Sequence, residues 1–340
     1  MRRVTLRDVA AEAGVSPATA SRALQGSALV SEETLTQVRE AARRLDYHPN
    51  AAAQSLRSAR TGTIGVIVPD IRNPFFAEIA HGAERAAREH GLSTLLTNAE
   101  DDPVQQRQYI DLLASRRIDG LLLAPQGATA DATLLRRTGL PVVFVDRVLD
   151  GFEAPSVTSD NEGGILRAVE TLAAHGHTRI GYLSGPLSTS TGLQRHHAFL
   201  TARERLGLNA DPSLIGFGNF QERSGDAIAT QMLQEGHPTA LLASDSLMTL
   251  GALRAMRRLR LRAGRDLAMI GYDDFETFEL TTPPITCVIQ QPERMGQLGI
   301  DLLWSLLCGT TPESIQLPVT FVSRESVCDA PHTHLREELS

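Results

Sequence analysis

Between residues 63 and 291 the chain repeats a pattern that few folds accommodate: a short, nearly continuous apolar run, then a longer stretch of mixed polarity. The runs are "TIGVIVP" (63–69), "STLLTNA" (93–99), "GLLLAP" (120–125), "VVFVD" (142–146), "RIGYLSG" (179–185), "LIGFGNF" (214–220), "TALLASD" (239–245), "LAMIGYD" (267–273) and "TCVIQQ" (286–291). Helical stretches separate them, for example 76–90, 104–116, 161–175, 223–235, 246–261 and 292–308. Strands that are apolar on both faces must be covered on both faces, and helical crossovers between parallel strands do this. Two successive sets of such units predict two doubly wound lobes, with a ligand crevice at the carboxyl ends of the strands. A hydrophobic fraction of 42% is enough to fill their cores.

Enzyme signatures are scarce. "TIGVIVPD" lacks the glycines of a dinucleotide-binding turn, and a chain without lysine cannot carry a G-x-x-x-x-G-K phosphate loop. "GYLSG" is not a nucleophile elbow. The histidines form no H-E-x-x-H, and "RHH" at 195–197 falls in a helical segment and reads as surface. Cys287, Cys308 and Cys328 are odd in number and widely spaced, which fits a reducing cytoplasm and neither a disulfide framework nor a zinc site. No run is long and apolar enough for a membrane span, and the N-terminus lacks a secretory apolar core. The expectation is a cytoplasmic binding protein with no catalytic residue, metal ligand or cofactor.

Charge is distributed unevenly. Residues 1–60 hold nine Arg against six acids, so a segment of about +3 precedes a body of about −10 within the net −7. A basic head suits a polyanion. Its pattern is helical. Thr5 is a good N-cap with Asp8 three residues on, and Leu6, Val9, Ala10 and Ala13 form one apolar stripe. Gly14 ends that helix, Ser16 caps a second with Pro17 in its first position, and Ser31 caps a third with the stripe Leu35, Val38, Ala42 and Leu45.

Two short helices around a glycine turn, with a third as buttress, predict a helix-turn-helix. In the second helix Ala20, Ala23 and Leu24 can face the core, leaving Pro17, Ala18, Ser21 and Arg22 outward. Small residues let a backbone approach base edges, and Arg22 is placed for a bidentate contact to guanine in a major groove. Ser16 and Thr19 belong to the same face, while Thr5, Ser31, Thr34 and Tyr47 suit phosphate contacts.

The stretch "YHPNAAAQSLRSARTG" (47–62) follows. Asn50 can cap a helix of about two turns, too short to be stable alone in water. Small alanines such as Ala53 would let two copies pack closely in a narrow groove, Gln54 and Arg57 could reach backbone or bases, and Leu56 could wedge between base pairs.

The head resembles the lactose-repressor/galactose-repressor family of bacterial regulators, through T-L-x-D-V-A, A-G-V-S, T-x-S-R, V-S, L-x-Y-x-P-N and A-x-x-L. The resemblance implies a hinge helix with its leucine at Leu56.

In the body, polar and aromatic residues punctuate the strand ends. Asn73, Phe75 and Phe76 follow the first strand, and Asp146 and Arg147 the fourth. Arg195 begins a helical stretch after the Ser/Thr-rich "LSTSTG" loop, and Phe220, Asp245, Asp273 and Gln290 end further strands. Carboxylates and guanidiniums bond vicinal hydroxyls and aromatic faces pack on sugar C–H faces, so the set predicts a polyol or sugar site. The alternative for Asp146, Asp245 and Asp273 is helix N-capping.

The body also resembles that family and the similar periplasmic ribose-binding type, through "NPFF", "VFVDR", "SDNEGG", "ASDSLMTLGALRAM", "IGYDDF" and "IQQP". The resemblance implies an α/β fold: an all-α helix-turn-helix head (1–48), a hinge (49–61), and a two-lobed periplasmic-binding-protein-like type I effector domain (62–327). It implies three crossings between lobes, giving an N-lobe of about 62–160 plus 291–321 and a C-lobe of about 161–290 plus 322–327, then a tail (328–340). It further implies a homodimer on a pseudo-palindromic operator in double-stranded DNA, responding to a sugar-like effector. Many relatives carry a second Arg where 188–193 read Ser-Thr-Ser-Thr-Gly-Leu, and Asn where this chain has Ser244. Arg147 with Arg195 would suit a carboxylate, so a sugar acid stands beside a sugar as the expected effector. The rival readings are a solute-binding protein without DNA function and an α/β enzyme with a DNA-binding head.

Overall fold

The computed structural model describes residues 4–24, 29–47, 60–127 and 129–331. The chain splits into two compact units at residue 61. The hinge candidates Asn50, Ala53, Gln54, Leu56 and Arg57, and most of the tail, lie outside the described residues.

In the first unit, α1 (Leu6–Glu12), α2 (Pro17–Leu24) and α3 (Glu32–Arg44) pack around Val9, Ala10, Ala20, Ala23, Val38, Ala41 and Ala42. Alanines dominate that core, so the helices approach closely and little apolar area is buried per residue. Termini are therefore secured locally. The Asp8 carboxylate accepts the Thr5 backbone N–H at 2.8 Å and its hydroxyl at 2.7 Å. Ser16 Oγ accepts Thr19 N–H at 3.1 Å, and Ser31 Oγ accepts Thr34 N–H at 3.3 Å. Gly14, at φ +66°, makes the turn between α1 and α2.

The second unit contains two six-stranded sheets. Its strands are β1 (Thr63–Val68), β2 (Ser93–Asn98), β3 (Gly120–Leu123), β4 (Val142–Val145), β5 (Ser156–Ser159), β6 (Ile180–Ser184), β7 (Ile215–Phe217), β8 (Ala240–Ala243), β9 (Ala268–Tyr272), β10 (Thr286–Ile289), β11 (Ile315–Leu317) and β12 (Thr320–Val322). One sheet runs β11-β5-β4-β3-β1-β2 and the other β12-β10-β9-β8-β6-β7. Every pairing is parallel except the antiparallel β10–β12 edge. The strand order in each reverses beside its first strand, which opens a crevice at the carboxyl ends.

Helices α4 (Pro74–Glu89), α5 (Pro103–Ser115), α6 (Thr129–Thr138), α7 (Asn161–Ala174), α8 (Ser190–Arg205), α9 (Glu222–Gln231), α10 (Ser246–Arg258), α11 (Glu276–Glu279) and α12 (Pro292–Leu307) supply the crossovers. The chain passes between sheets after β5, after β10 and after β11. The return helix α12 docks on α4 backbone to backbone. A Cβ at Gly82 would collide with the Glu293 carbonyl, and one at Gly296 with the Ile79 carbonyl. Glycine at both positions lets the returning segment seal the first lobe.

Some details differ from the sequence expectation. β5, β11 and β12 are only three or four residues long, too short to stand out as apolar runs; β11 and β12 form sheet edges, and β5 pairs with β11. The run at 214–220 is strand only over β7, and Phe220 lies beyond it on a left-handed residue, φ +59°. "RHH" is not a surface feature: Arg195 and His196 are 3% and 8% exposed, and only His197 is exposed. Helix α8 is covered on more of its circumference than its polar composition suggests.

Candidate functional site

The ten residues singled out in sequence converge on one cleft between the sheets, although Arg195 lies inside α8 rather than at its start, and Phe75 and Phe76 lie in the first turn of α4. Asn73, Phe75, Phe76, Asp146 and Arg147 come from the first lobe. Arg195, Phe220, Asp245, Asp273 and Gln290 come from the second lobe and the crossing. Asp70, Asp101, Thr191 and Leu247, which sequence reasoning missed, complete the lining. Asp101 sits in the acid run "AEDDP" and looks there like a helix cap; Asp102 is the actual cap of α5, accepting Val104 N–H at 2.8 Å.

Four of the nine described non-glycine residues with positive φ line this cleft. Asp101, Asp146, Phe220 and Asp273 have φ of 55°, 64°, 59° and 61°, a region that non-glycine residues occupy at a cost. Such strain persists only where surrounding structure over-determines it, and it concentrates at ligand sites. Asp146 and Asp273 directly follow β4 and β9, and Asp101 and Phe220 lie three residues past β2 and β7, so all four place side chains at a sheet's carboxyl end.

The N-cap alternative holds for one of the three aspartates. Asp245 accepts Leu247 N–H at 3.2 Å and Met248 N–H at 2.9 Å, capping α10. Asp146 precedes no helix and pairs with Arg147 at 3.4 Å. Asp273 accepts Gln290 Nε2–H at 2.7 Å. Asn73 is also a cap, its Oδ1 accepting Phe75 N–H at 3.0 Å.

The two cations are buried and held. Arg195 donates from Nε to Asn161 Oδ1 and from Nη1 to the Ser244 carbonyl, both at 2.7 Å, and lies 3.8 Å over the Tyr272 ring. Arg147 donates from Nη1 to Gln126 Oε1 at 3.2 Å and lies between the Phe76 and Phe220 rings, at 5.4 and 5.3 Å. Burial pushes the Asp273 carboxyl up to about 7, against the pull of Arg195 and the Gln290 hydrogen bond. Burial likewise lifts Asp245 to about 6 against its two backbone donors, and it raises Asp146 and Asp101. A partner that brings hydroxyl hydrogens to these carboxylates would relieve that penalty.

The cleft is narrow, enclosing about 20 Å³, the room of roughly one water. Its mouth is bridged between lobes. Gln221 Nε2 donates to Asp101 Oδ2 at 2.6 Å, and Val148 N–H to Ser190 Oγ at 2.9 Å. Gly127, at φ +84°, approaches Ser188 so closely that a Cβ there would collide with the Ser188 carbonyl oxygen. A ring-sized ligand can reach the carboxylates only if the lobes part.

The head presents a separate candidate face. Ser16, Pro17, Ala18 and Arg22 are exposed on α2, Thr19 and Ser21 are half-buried, and Ala20 and Ala23 face inward. Ser16 and Thr19 hydroxyls pair at 2.9 Å, as do those of Ser31 and Thr34, the same arrangement at the start of two successive helices. Thr5 is exposed, whereas Tyr47 is half-buried with its ring packed on the head core. Among the described residues no group of His, Cys, Asp and Glu could hold a metal ion. No helix among them is long and apolar enough to cross a membrane.

Residues 61–325 match the family model for periplasmic binding proteins and the sugar-binding domain of the LacI family, and residues 5–50 match that for bacterial regulatory proteins of the lacI family. The chain is similar to the HTH-type transcriptional repressor PurR of Aliivibrio salmonicida, with 35% identity over 88% of this chain and 91% of that one. It is similar also to the HTH-type transcriptional repressor CytR of Escherichia coli, with 34% identity over 90% of each. Among solved structures, a lac repressor dimer bound to operator and the anti-inducer ONPF superposes with a TM-score of 0.85 at 30% identity, over 96% of this chain and all of that one. A transcriptional regulator CelR–cellobiose complex superposes at 0.73 with 32% identity, over 95% of this chain and all of that one.

Proposed function

The chain belongs to the LacI family of bacterial regulatory proteins, and from that we propose that it is a homodimeric repressor whose hold on an operator is set by a small polyhydroxylated effector bound between the two lobes. The family makes it a DNA-binding regulator; the repressing sign, the dimer and the effector are our reading. The observation that carries the effector is the convergence of ten side chains from both lobes on one cleft, several of them on strained backbone.

The chemistry follows from the residues. Asp146 and Asp273 accept vicinal hydroxyls, Arg195 donates to their oxygens, and Phe76 and Phe220 offer faces for ring C–H groups. The ligand touches both lobes, so it changes the free energy of lobe closure by its differential contacts with the two arrangements. In a two-fold dimer the recognition helices α2 meet half-sites about one helical turn apart, so the operator is a pseudo-palindrome. Arg22 reads a base edge, and the hydroxyls at the starts of α2 and α3 bind phosphate. Leu56, between the head and the effector unit in sequence, is the proposed wedge in the minor groove.

Two lines of support favour repression over the rival readings. The relatives quoted above are named repressors, and a solved neighbour is a dimer on its operator. The test is a mobility shift of DNA from upstream of the chain's own gene. A specific complex that weakens steeply with salt is expected; retention no better than on scrambled DNA overturns the reading.

A further inference from the structure

The cleft holds more carboxylates than cations. Asp101, Asp146, Asp245 and Asp273 face Arg147 and Arg195, while Asp70 is matched by Arg72 through bonds of 3.0 and 2.9 Å. Recognition of a carboxylate or phosphate uses a two-nitrogen guanidinium edge. Both cleft guanidiniums have spent such edges on protein. In Arg195, Nε and Nη1 are bonded to Asn161 and Ser244. In Arg147, Nη1 is bonded to Gln126, while Nε is ion-paired with Asp146 at 3.4 Å without a hydrogen bond. What the wall has to spare are single groups. The donor Arg147 Nε and the acceptor Gln290 Oε1, both on cleft-lining side chains, are buried without a hydrogen-bond partner, and each side chain is more than nine-tenths buried.

A wall of carboxylate acceptors with an isolated donor complements hydroxyl groups, which donate and accept together. The charged group of an acid or phosphate would bring acceptors only, and would add negative charge to a buried site lined by more carboxylates than cations. Resting on the effector reading above, we infer that the cleft selects an uncharged polyhydroxylated ring and rejects sugar acids and sugar phosphates. The pairing of Arg147 with Arg195, which in sequence suits a carboxylate, is reversed by their burial among these acids.

The test is a thermal-shift titration of the full chain with D-ribose, D-xylose, D-glucose, D-galactose and trehalose. D-glucose and D-galactose are set beside their uronates, which keep the ring, and each sugar beside its terminal phosphate ester, up to about 20 mM. Stabilisation by at least one uncharged sugar is expected, with its acid and phosphate weaker by about tenfold or more. At pH 8, where Asp273 is ionised, the preference should shrink in Asp273→Asn, because one negative charge leaves the wall while the Gln290 side chain stays available; Asp146→Asn serves the same comparison should that variant fail to fold. An acid or phosphate that binds as tightly as its parent sugar overturns the inference and leaves the effector reading intact. Silence from every compound overturns the sugar-effector reading, and the inference with it.

Discussion

Replacing Gly127 by alanine should disable effector binding without touching a residue that contacts the ligand. Two effects act there. The residue has φ +84°, so any Cβ costs about 1–2 kcal/mol of folding stability. The Cβ would also collide with the Ser188 carbonyl across the cleft, lying 2.8 Å from its carbon, so the lobes must back off by about 1 Å or more. That retreat breaks the Gln221–Asp101 and Val148–Ser190 bridges. If the lobes part to admit the ring and the mouth bridges re-form over it, then at about 1 kcal/mol net per hydrogen bond the bound arrangement loses about 2 kcal/mol, or about 30-fold in effector affinity. Gly139→Ala is the control, since Gly139 has φ +65° with nothing within 4 Å of the added atom. Both variants should lose a similar few degrees of Tm, while calorimetric titration with the stabilising sugar should separate them by about 30-fold. Wild-type affinity in Gly127→Ala would refute the reasoning, because the bound state would then not need the lobes this close.

Other consequences are equally direct. Asp273 is lifted by burial to about 7 in the folded protein from 3.8, so the fold binds its proton more tightly than the unfolded chain and loses stability as pH rises from about 4 to 7; Asp273→Asn should therefore raise Tm at pH 8, lose that advantage near pH 4, and weaken sugar binding. His177 is buried, with Nδ1 2.9 Å from Thr239 Oγ1 and Nε2 2.7 Å from the Cys328 carbonyl. Burial lowers its pKa from 6.5; this contribution is complete above about 6.5 and falls as pH drops below it, so His177→Gln should flatten the acid limb of a Tm–pH profile. Arg22→Ala should cost about 1–3 kcal/mol of operator affinity and relax one position of the site, read by binding to singly substituted operators. Leu56→Ala should weaken operator binding several-fold while leaving Tm and the sugar-induced shift unchanged, measured by anisotropy and thermal shift.

Much of the cleft was legible because doubly wound sheets place ligands at strand ends, and strand ends can be read from where apolar runs stop. Asp146 and Asp273 stood out this way. Asp245 occupies the same kind of position, yet both its oxygens serve the helix it caps, a distinction set by the backbone of the next three residues. Asp101 was hidden in an acidic loop. The bridges Gln221–Asp101 and Val148–Ser190, and the approach of Gly127 to Ser188, join residues 42 to 120 positions apart and leave no periodic trace. His196 was misplaced on the surface because α8 mixes polar and apolar residues around its circumference. The role of Arg195 changed most: alone it suggests an anion, but its bonds to Asn161 and Ser244 and its acidic neighbours suit hydroxyls.

The central claim is that a ligand between the lobes governs DNA binding by the head. Operator affinity of the full chain, measured by anisotropy on its own upstream DNA while the stabilising sugar is titrated, tests it most directly. The account predicts a shift of about 5- to 150-fold, with sugar affinity changed by the same factor when operator is present. Equal operator affinity at zero and saturating sugar would contradict it.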